Sequence, residues 1–364
     1  MSAADAQVED LLPFTDPVYW ADPYPYYERA RAAAGPVYAS PAGVHVLLGH
    51  ADVLELVRDP RMSALALSFG VGDRFHDSVL GQDPPEHTRL RRVFQKWFTA
   101  ARVREWTADT QARLDASLAA AEAGDGTIDL VDGYGFPATF GTISTMFGVP
   151  TDEAIACRHH TYVIGRALAP GATDADMAAG EASLEWYYAY VRGLVVEKRK
   201  APGDDLLSAF IAARDEGTMS EDEVLATMTL LYSVGHLDNT YLIANGLVQL
   251  LRDLALRRRY VDDPAIRGAA IQELLRHETP EQFVVRAATA DVDVRGETIP
   301  EGAVVMMMIG AANRDPSVFA DPARIDLDRP NAARHIAFGS GIHACIGSAL
   351  ARAQGEAALT SLLT

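Results

Sequence analysis

The residues best suited to chemistry lie near the end of the chain, in the stretch FGSGIHACIGSALAR at positions 338–352. Gly339, Gly341 and Gly347 flank Cys345, and a helical pattern follows. Glycines permit tight turns and a close approach to a flat cofactor. A cysteine that enters a helix N-terminus is favoured as a thiolate, because the helix dipole and free N–H groups stabilise negative charge. Thiolate is a soft ligand that suits heme iron and promotes O–O cleavage. The alternative is a buried cysteine that packs as a small hydrophobic residue.

The same stretch resembles the heme-binding loop of the cytochrome P450 family, Phe-Gly-x-Gly-x-His-x-Cys-x-Gly. The match falls on Phe338, Gly339, Gly341, His343, Cys345 and Gly347. The resemblance implies a mainly α, single-domain cytochrome P450 fold over residues 1–364 with a small β-sheet region. It also implies heme b (iron protoporphyrin IX), held non-covalently, with Cys345 as the ligand to the iron. Phe338 and Gly347 belong to the implied cofactor-binding set.

Cationic residues complete that set. DPPEHTRLRRVFQKWF, at 83–98, resembles the family's helix over which the heme propionates lie. His87 and Arg91 are four residues apart and share a helix face, and propionates need cationic or hydrogen-bonding donors. Arg286 and His343 match the remaining propionate positions. Taken singly, each of these side chains would more often be a surface residue.

A second motif predicts structural support and no proton chemistry. Glu273 and Arg276, in IQELLRHETP, resemble the family's Glu-x-x-Arg helix, and Arg329 matches its later arginine partner. The spacing of three places the acid and the guanidinium on one helix face. A buried carboxylate with arginine partners holds elements in register. Without the other motifs, a surface ion pair would be the preferred interpretation.

The segment 221–252 predicts a long helix, opened by a capping box of Ser220 and Glu223. It carries the polar string GHLDNT at 235–240, which is costly inside a buried helix unless its groups are satisfied. One interpretation is a distorted core helix with inward hydrogen bonds. The other is a helix that passes beside a cofactor or substrate and bends where function needs it.

This string departs from the family pattern of an acid followed by threonine. One alignment places Leu237 at the acid position and Asp238 at the threonine position, and the other places Asp238 and Asn239 there. Heterolytic O–O cleavage needs protons. Asp238, Asn239 and Thr240 are the predicted catalytic residues: Asp238 relays protons through water, and Asn239 holds that water.

Resemblance also places residues that line the substrate pocket, most of them apolar, as ligand pockets usually are. They are Met62, Phe69, Val79, Val234, Gly235, Asp238, Phe283 and Val284.

The predicted function is monooxygenation of a small organic substrate, in specialised metabolism, with dioxygen and external electrons. The missing acid–threonine pair leaves oxidative coupling, cyclisation or peroxide-driven oxidation as alternatives, and a non-catalytic heme-binding protein as a remote one. No flavin or iron–sulfur motif is present, so the electrons come from outside the chain. We expect a donor of the ferredoxin and ferredoxin reductase type. A basic stripe of Arg89, Arg92 and Lys96 either docks that donor or is an ordinary solvated helix face.

Composition limits the remaining classes of function. The 32 basic and 50 acidic residues give a net charge of −18, which argues against a nucleic-acid partner. Two cysteines are too few for a disulfide framework or a structural zinc site. The pair His159-His160 is interpreted as two surface residues and not as a metal site. The absence of a signal peptide and of a membrane-spanning run predicts a cytoplasmic location. We also expect the protein to be a monomer. Only 19 residues follow Cys345, where family members continue through a further hairpin.

Periodicity predicts the main elements. Helical patterns cover about 86–121, 177–199, 204–214, 221–252 and 264–277, and strand-like patterns cover 44–49 and 303–310.

Overall fold

Alanine- and leucine-rich segments form helices over most of residues 11–66 and 70–364, the part of the chain that the computed structural model describes. The α-helices in this part are α1 (Pro17–Ala21), α2 (Tyr24–Ala34), α3 (His50–Leu56), α4 (Glu86–Gln95), α5 (Ala100–Ala123), α6 (Phe136–Phe147), α7 (Ala154–Leu168), α8 (Asp174–Lys200), α9 (Leu206–Asp215), α10 (Glu221–Arg252), α11 (Leu254–Asp262), α12 (Arg267–His277), α13 (Ile309–Ala312) and α14 (Ser348–Leu363). The strands are β1 (Val37–Ala39), β2 (His45–Leu47), β3 (Met62–Ser63), β4 (Val284–Ala288), β5 (Val292–Val294), β6 (Glu297–Ile299) and β7 (Val304–Met307).

Each predicted segment contains the expected element, and two of the predicted bounds were wrong. The helical pattern at 86–121 is two helices, because Thr99 caps the second one and its side chain accepts a hydrogen bond from the backbone of Arg102. The strand-like pattern at 303–310 ends as a strand at Met307, and α13 follows it. The predicted helix at 221–252 has the observed bounds of α10, and the remaining segments differ from the prediction by at most three residues at either end.

The chain groups into two compact units. The first takes the described residues before position 67 together with Gln272–Cys345, and the second takes residues 70–271 together with Ile346–Thr364. The single-domain organisation stays a prediction of the sequence. No helix in the described ranges is long and apolar enough to cross a membrane.

The first unit is built around a small sheet. Its strand order is β1-β2-β7-β4-β3, in which β2 and β7 are parallel and the other neighbours antiparallel. Strands β5 and β6 form a separate hairpin. Alternate residues of β2 and β7 are buried with the apolar face of α3, as expected for a sheet with one covered face.

The second unit is an assembly of helices around an aromatic core. Phe94, Phe140, Phe147, Phe210 and Tyr232 are buried within it. Helix α10 runs through this core for 32 residues. It begins at the predicted capping box, in which the Ser220 hydroxyl accepts from the backbone of Glu223 and the Glu223 carboxylate accepts from the backbone of Ser220.

Candidate active site

The loop that carries Cys345 is closed by its own backbone. The N–H of Cys345 donates to the carbonyl of Phe338 at 2.9 Å, and the N–H of Gly339 donates to Ile336 at 2.9 Å. Within the loop, Gly341–His343 form one 3-10 turn. These bonds hold the backbone of Cys345 in the loop, three residues before α14 begins.

Two glycines give the loop its shape. Gly339 and Gly341 have φ values of 63° and 72°, the left-handed region that other residues rarely adopt. A Cβ on Gly341 would lie 3.0 Å from the carbonyl oxygen of Val57, whereas one on Gly339 would meet nothing within 4 Å. Arg58 adds a hydrogen bond of 2.7 Å from its Nε to the hydroxyl of Ser340. The loop is therefore held against the end of α3 at Gly341.

The two cysteines have opposite surroundings. Cys157 is buried in α7, and burial raises the pKa of its thiol to about 12, so it stays protonated. Cys345 is exposed. A soft metal ligand needs an accessible thiol, and Cys345 provides one. The glycines of its loop have no side chains that would cover the loop backbone.

The predicted cationic residues occur in both units. In the first unit, Arg286 is buried in β4 and His343 is half-buried in the 3-10 turn of the loop. In the second unit, His87 is buried on α4, one turn before the half-buried Arg91. Burial and the charge of Arg91 lower the pKa of His87, which favours its neutral form as a hydrogen-bonding group.

The Glu273 carboxylate lies in a fully buried network. Arg276 donates to both of its oxygens at 2.7 Å, and the Nε of Arg329 lies 3.0 and 3.1 Å from them. The N–H of Asp326 donates to it at 2.9 Å. Burial alone would raise the pKa of Glu273, but the hydrogen bonds and charge of Arg276, with help from Arg329, hold it below its usual value.

The two guanidinium groups of this network use their remaining donors on backbone carbonyls. Arg276 bonds to Asn313, Pro322 and Arg324, and Arg329 bonds to Ala320, Asp321 and Arg324. The network thus ties α12 to the irregular chain between α13 and the cysteine loop.

The middle of α10 has one accessible face. Val234 is 46% exposed, and Gly235 and Asp238 are exposed as well, although the residues on either side along the helix are buried. The spacings of three and four residues place them on a single side of the helix. Although the side chain of Asp238 is exposed, neighbouring protein atoms partly desolvate its carboxyl, and this desolvation raises its pKa to about 6.

Asn239 and Thr240 are engaged elsewhere. The Asn239 amide donates to Oε1 of Gln354 on α14, and Gln354 in turn donates to the hydroxyl of Thr110 at 2.7 Å. The Thr240 hydroxyl donates to the His236 carbonyl at 2.7 Å and lies 2.7 Å from the Thr139 hydroxyl. Most buried groups of the polar string are therefore bonded inside a helix that runs unbroken from Glu221 to Arg252, although Nε2 of His236 and Oδ1 of Asn239 have no hydrogen-bond partner among the described residues. Asp238 is the accessible polar group of the string.

Comparison with known proteins agrees with this arrangement. A family model described as Cytochrome P450 matches residues 267–364. Cytochrome P450 107B1 of Saccharopolyspora erythraea is 34% identical to the chain over 379 residues, which cover 98% of this chain and 90% of that protein. The chain belongs to the cytochrome P450 family. It is a monooxygenase of that family, and its cofactor is heme b.

Two further relatives of this cytochrome P450 have informative names. Cytochrome P450 monooxygenase PikC of Streptomyces venezuelae is 34% identical, with 94% of this chain and 83% of that protein covered. The solved structure of the cytochrome P450 enzyme CxnD, for C–S bond formation in chuangxinmycin biosynthesis, aligns with a TM-score of 0.84 at 30% identity. It covers 94% of this chain and 86% of that one.

The predicted pocket residues of the cytochrome P450 differ in accessibility. Val234 and Gly235 are accessible, while Met62 and Val79 are buried. Phe283 and Val284 are half-buried, and the ring of Phe283 packs edge-on against Phe14 at 6.3 Å. Phe69 lies outside the described residues.

The basic stripe on α4 is smaller than the sequence indicates. Arg89 forms an ion pair with Glu223 at 2.5 Å and also donates to the carbonyl of Thr218 at 2.6 Å. Arg92 and Lys96 are exposed. Two of the three cations therefore remain on the solvated face.

Several residues near Asp238 were not among the predicted site residues. Tyr241 follows Asp238 by three positions on the same helix, a spacing that the sequence shows. Its hydrogen-bond partner Tyr162, and Arg158, which donates to Tyr162, come from α7. Helix α7 is distant in sequence, so no local pattern could identify them.

Proposed function

We propose that this cytochrome P450 is a monooxygenase of a small organic molecule in specialised metabolism, in which Asp238 handles the protons. The observation that carries the proposal is the accessible carboxyl of Asp238 in the middle of α10, whose pKa desolvation raises to about 6. A group that titrates near neutral pH can both accept and donate a proton under working conditions. The named activity of PikC supports monooxygenation.

Cys345 is the residue that would ligate the heme iron, because it is the exposed cysteine and lies on the glycine-shaped loop. Arg286, His343, His87 and Arg91 would bind the propionates. Bound heme supplies the reductive activation of dioxygen, and the chain supplies ligation, orientation and protons.

Electrons come from a ferredoxin-type donor. The monomeric state and the cytoplasmic location stay predictions.

The same helix face indicates the chemistry of the substrate. Val234 and Gly235 offer apolar surface, and Asp238 places a carboxyl on the same face of α10. Such a face favours a mainly apolar molecule that carries one hydrogen-bond donor, such as a hydroxyl or an amine.

The test uses a compound that shifts the heme spin state, together with a plant-type ferredoxin and its reductase. The share of consumed electrons that leaves as hydrogen peroxide is compared for wild type, Asp238→Asn and Asp222→Asn. Asp222 is an exposed acid in the first turn of the same helix and serves as the matched control. A higher peroxide share in Asp238→Asn alone supports the proposal. An unchanged share removes Asp238 from proton handling.

Oxidative coupling is the second candidate. Two observations favour it: no acid is followed by threonine in the central helix, and CxnD, whose named reaction is C–S bond formation, is a structural neighbour. Bond formation between two substrate groups leaves no dioxygen-derived atom in the product. Turnover under isotopically labelled dioxygen distinguishes the two reactions, since only monooxygenation labels the product.

A further inference from the structure

A pair of tyrosine hydroxyls connects α10 with α7 beside the accessible face. The hydroxyl of Tyr241 donates a hydrogen bond to the hydroxyl of Tyr162. Their ring centroids are 6.5 Å apart with the planes at 65°, so the rings meet at their hydroxyl ends and are not stacked. Tyr241 is half-buried and Tyr162 is 39% exposed, so the pair begins within the protein and ends at its surface.

A charged group borders the outer end of the pair. Arg158 lies one turn before Tyr162 on α7 and donates to its hydroxyl at 3.5 Å. The guanidinium stacks over the rings of Phe136 and Tyr162 at 4.8 and 5.4 Å and forms an ion pair of 2.5 Å with the exposed Asp132. Arg158 is therefore fixed from three sides, and its charge favours negative charge that develops on the neighbouring phenol oxygens.

Asp238 is the carboxylate next to Tyr241 on α10. It precedes Tyr241 by three residues on α10, and helical neighbours at this spacing share a face. The two groups interact electrostatically: burial, the hydrogen bond to Tyr162 and the charge of Asp238 raise the pKa of Tyr241, against the opposite effect of Arg158. The ionisable groups are therefore arranged in the order Asp238, Tyr241, Tyr162, with Arg158 and Asp132 at the solvent end.

We propose that Tyr241 and Tyr162 form a proton path between Asp238 and solvent, a path that rests on the proposed role of Asp238. Each hydroxyl passes on one proton and receives another. Once the Tyr241 hydroxyl turns its proton from Tyr162 toward Asp238, the carboxylate takes that proton, Tyr241 takes the proton of Tyr162, and Tyr162 takes one from water. The net change is one proton moved from water to Asp238, with both phenols restored.

Such a path matters when the accessible face is covered. In the open protein, water reaches the exposed Asp238 directly. A mainly apolar substrate on Val234 and Gly235 displaces this water, and protons must then arrive from another side. Tyr162 is 39% exposed and belongs to α7, so in the proposed path it supplies the contact with solvent.

The test follows the Asp238 proton itself by infrared spectroscopy of the heme-loaded protein. The carbonyl stretch of the protonated carboxyl is identified by its loss in Asp238→Asn. The protein is then mixed rapidly into D2O at pH 5, and the rate at which deuterium replaces the Asp238 proton is measured. The measurement is made with and without 4-phenylimidazole, an apolar probe that covers the heme pocket. We expect Tyr241→Phe and Tyr162→Phe to slow exchange about tenfold or more with the probe bound, and to change it little without the probe.

Tyr260→Phe is the matched control, because the Tyr260 hydroxyl also bonds to another hydroxyl, that of Thr360 at 3.2 Å, but on α11 and α14. Heme content and the thermal midpoint identify any variant that fails to fold, and the two tyrosines provide independent tests. Equal exchange in Tyr241→Phe, Tyr162→Phe and wild type with the probe bound would overturn the path. The proposed role of Asp238 is tested separately. An unchanged share of electrons lost as hydrogen peroxide in Asp238→Asn would contradict that role without bearing on the tyrosines.

Discussion

The Nε of Arg329 lies 3.0 Å from Oε1 of Glu273, although 56 residues separate them along the chain. Glu273 and Arg276 are fully buried, and Arg329 is 9% exposed, so water cannot replace a missing partner. We expect Glu273→Ala to lower the free energy of unfolding by about 3–5 kcal/mol, because two buried guanidinium groups lose their counter-charge. Urea unfolding of the heme-loaded protein measures this loss.

Asp59→Ala is the control for that measurement. Asp59 pairs with Arg61 at 2.6 Å, but the Arg61 side chain is 47% exposed, and a surface pair contributes about 0–1 kcal/mol. A cost for Glu273→Ala no larger than that for Asp59→Ala would contradict the network as a source of stability.

The two left-handed glycines of the cysteine loop differ in the space around them, which gives a second prediction. Gly339→Ala adds only the backbone cost of a side chain at φ 63°, about 1 kcal/mol. Gly341→Ala adds that cost and a contact of 3.0 Å with the backbone oxygen of Val57. We therefore expect a larger loss of bound heme and of thermal stability for Gly341→Ala. Equal losses would show that the loop moves freely away from α3.

A third prediction concerns the buried His236. Burial lowers its pKa from 6.5 to about 4, and its Nδ1 lies 3.0 Å from the carbonyl of Tyr232. Above pH 6.5 neither the folded nor the unfolded state is protonated there. Between pH 6.5 and 4 the unfolded state binds the proton first, so stability falls as the pH falls, by about 2 kcal/mol at pH 5.

His236→Phe removes this dependence and retains an aromatic ring between Phe136 and Phe140, whose centroids lie 5.6 and 5.2 Å from that of His236. Unfolding free energies at pH 7 and pH 5 test it, with the exposed His159→Phe as the control that keeps the wild-type fall. A variant that loses as much stability at pH 5 as wild type would rule out His236 as a source of the fall.

The fourth prediction separates the two cysteines. After reduction with dithionite and addition of carbon monoxide, a thiolate-ligated heme gives a long-wavelength Soret band. We expect Cys345→Ser to lose this band and Cys157→Ala to keep it, because Cys157 is buried with a thiol pKa of about 12. A band that survives in Cys345→Ser would mean that another residue ligates the iron.

The sequence predicted those features whose residues are close together along the chain. The cysteine loop spans ten positions, and the capping box of Ser220 and Glu223 spans four, so their local geometry follows from residue type and spacing. The break at Thr99 was also visible, as an N-cap residue before two alanines, but the continuous apolar pattern on both sides concealed it.

Contacts between distant segments could not be predicted. Tyr162 and Tyr241 are 79 positions apart, and Arg89 and Glu223 are 134 apart. The alignment of the polar string had the same difficulty, because composition alone gives Asp238, Asn239 and Thr240 equal weight. Burial of Asn239 and Thr240, and exposure of Asp238, depend on which neighbouring helices pack against each side of α10.

The ion pair between Arg89 and Glu223 limits how this enzyme can be adapted to a foreign electron donor. Arg92 and Lys96 can be replaced by neutral or acidic residues, because both are exposed. Arg89 cannot, since the carboxylate that it holds also caps the first turn of α10. Glu223 lies about 22 Å along the helix axis from Asp238, at 1.5 Å per residue over the 15 positions from one to the other. A donor engineered to dock on α4 should therefore be designed around Arg89, which belongs to the scaffold of the catalytic helix as much as to the protein surface.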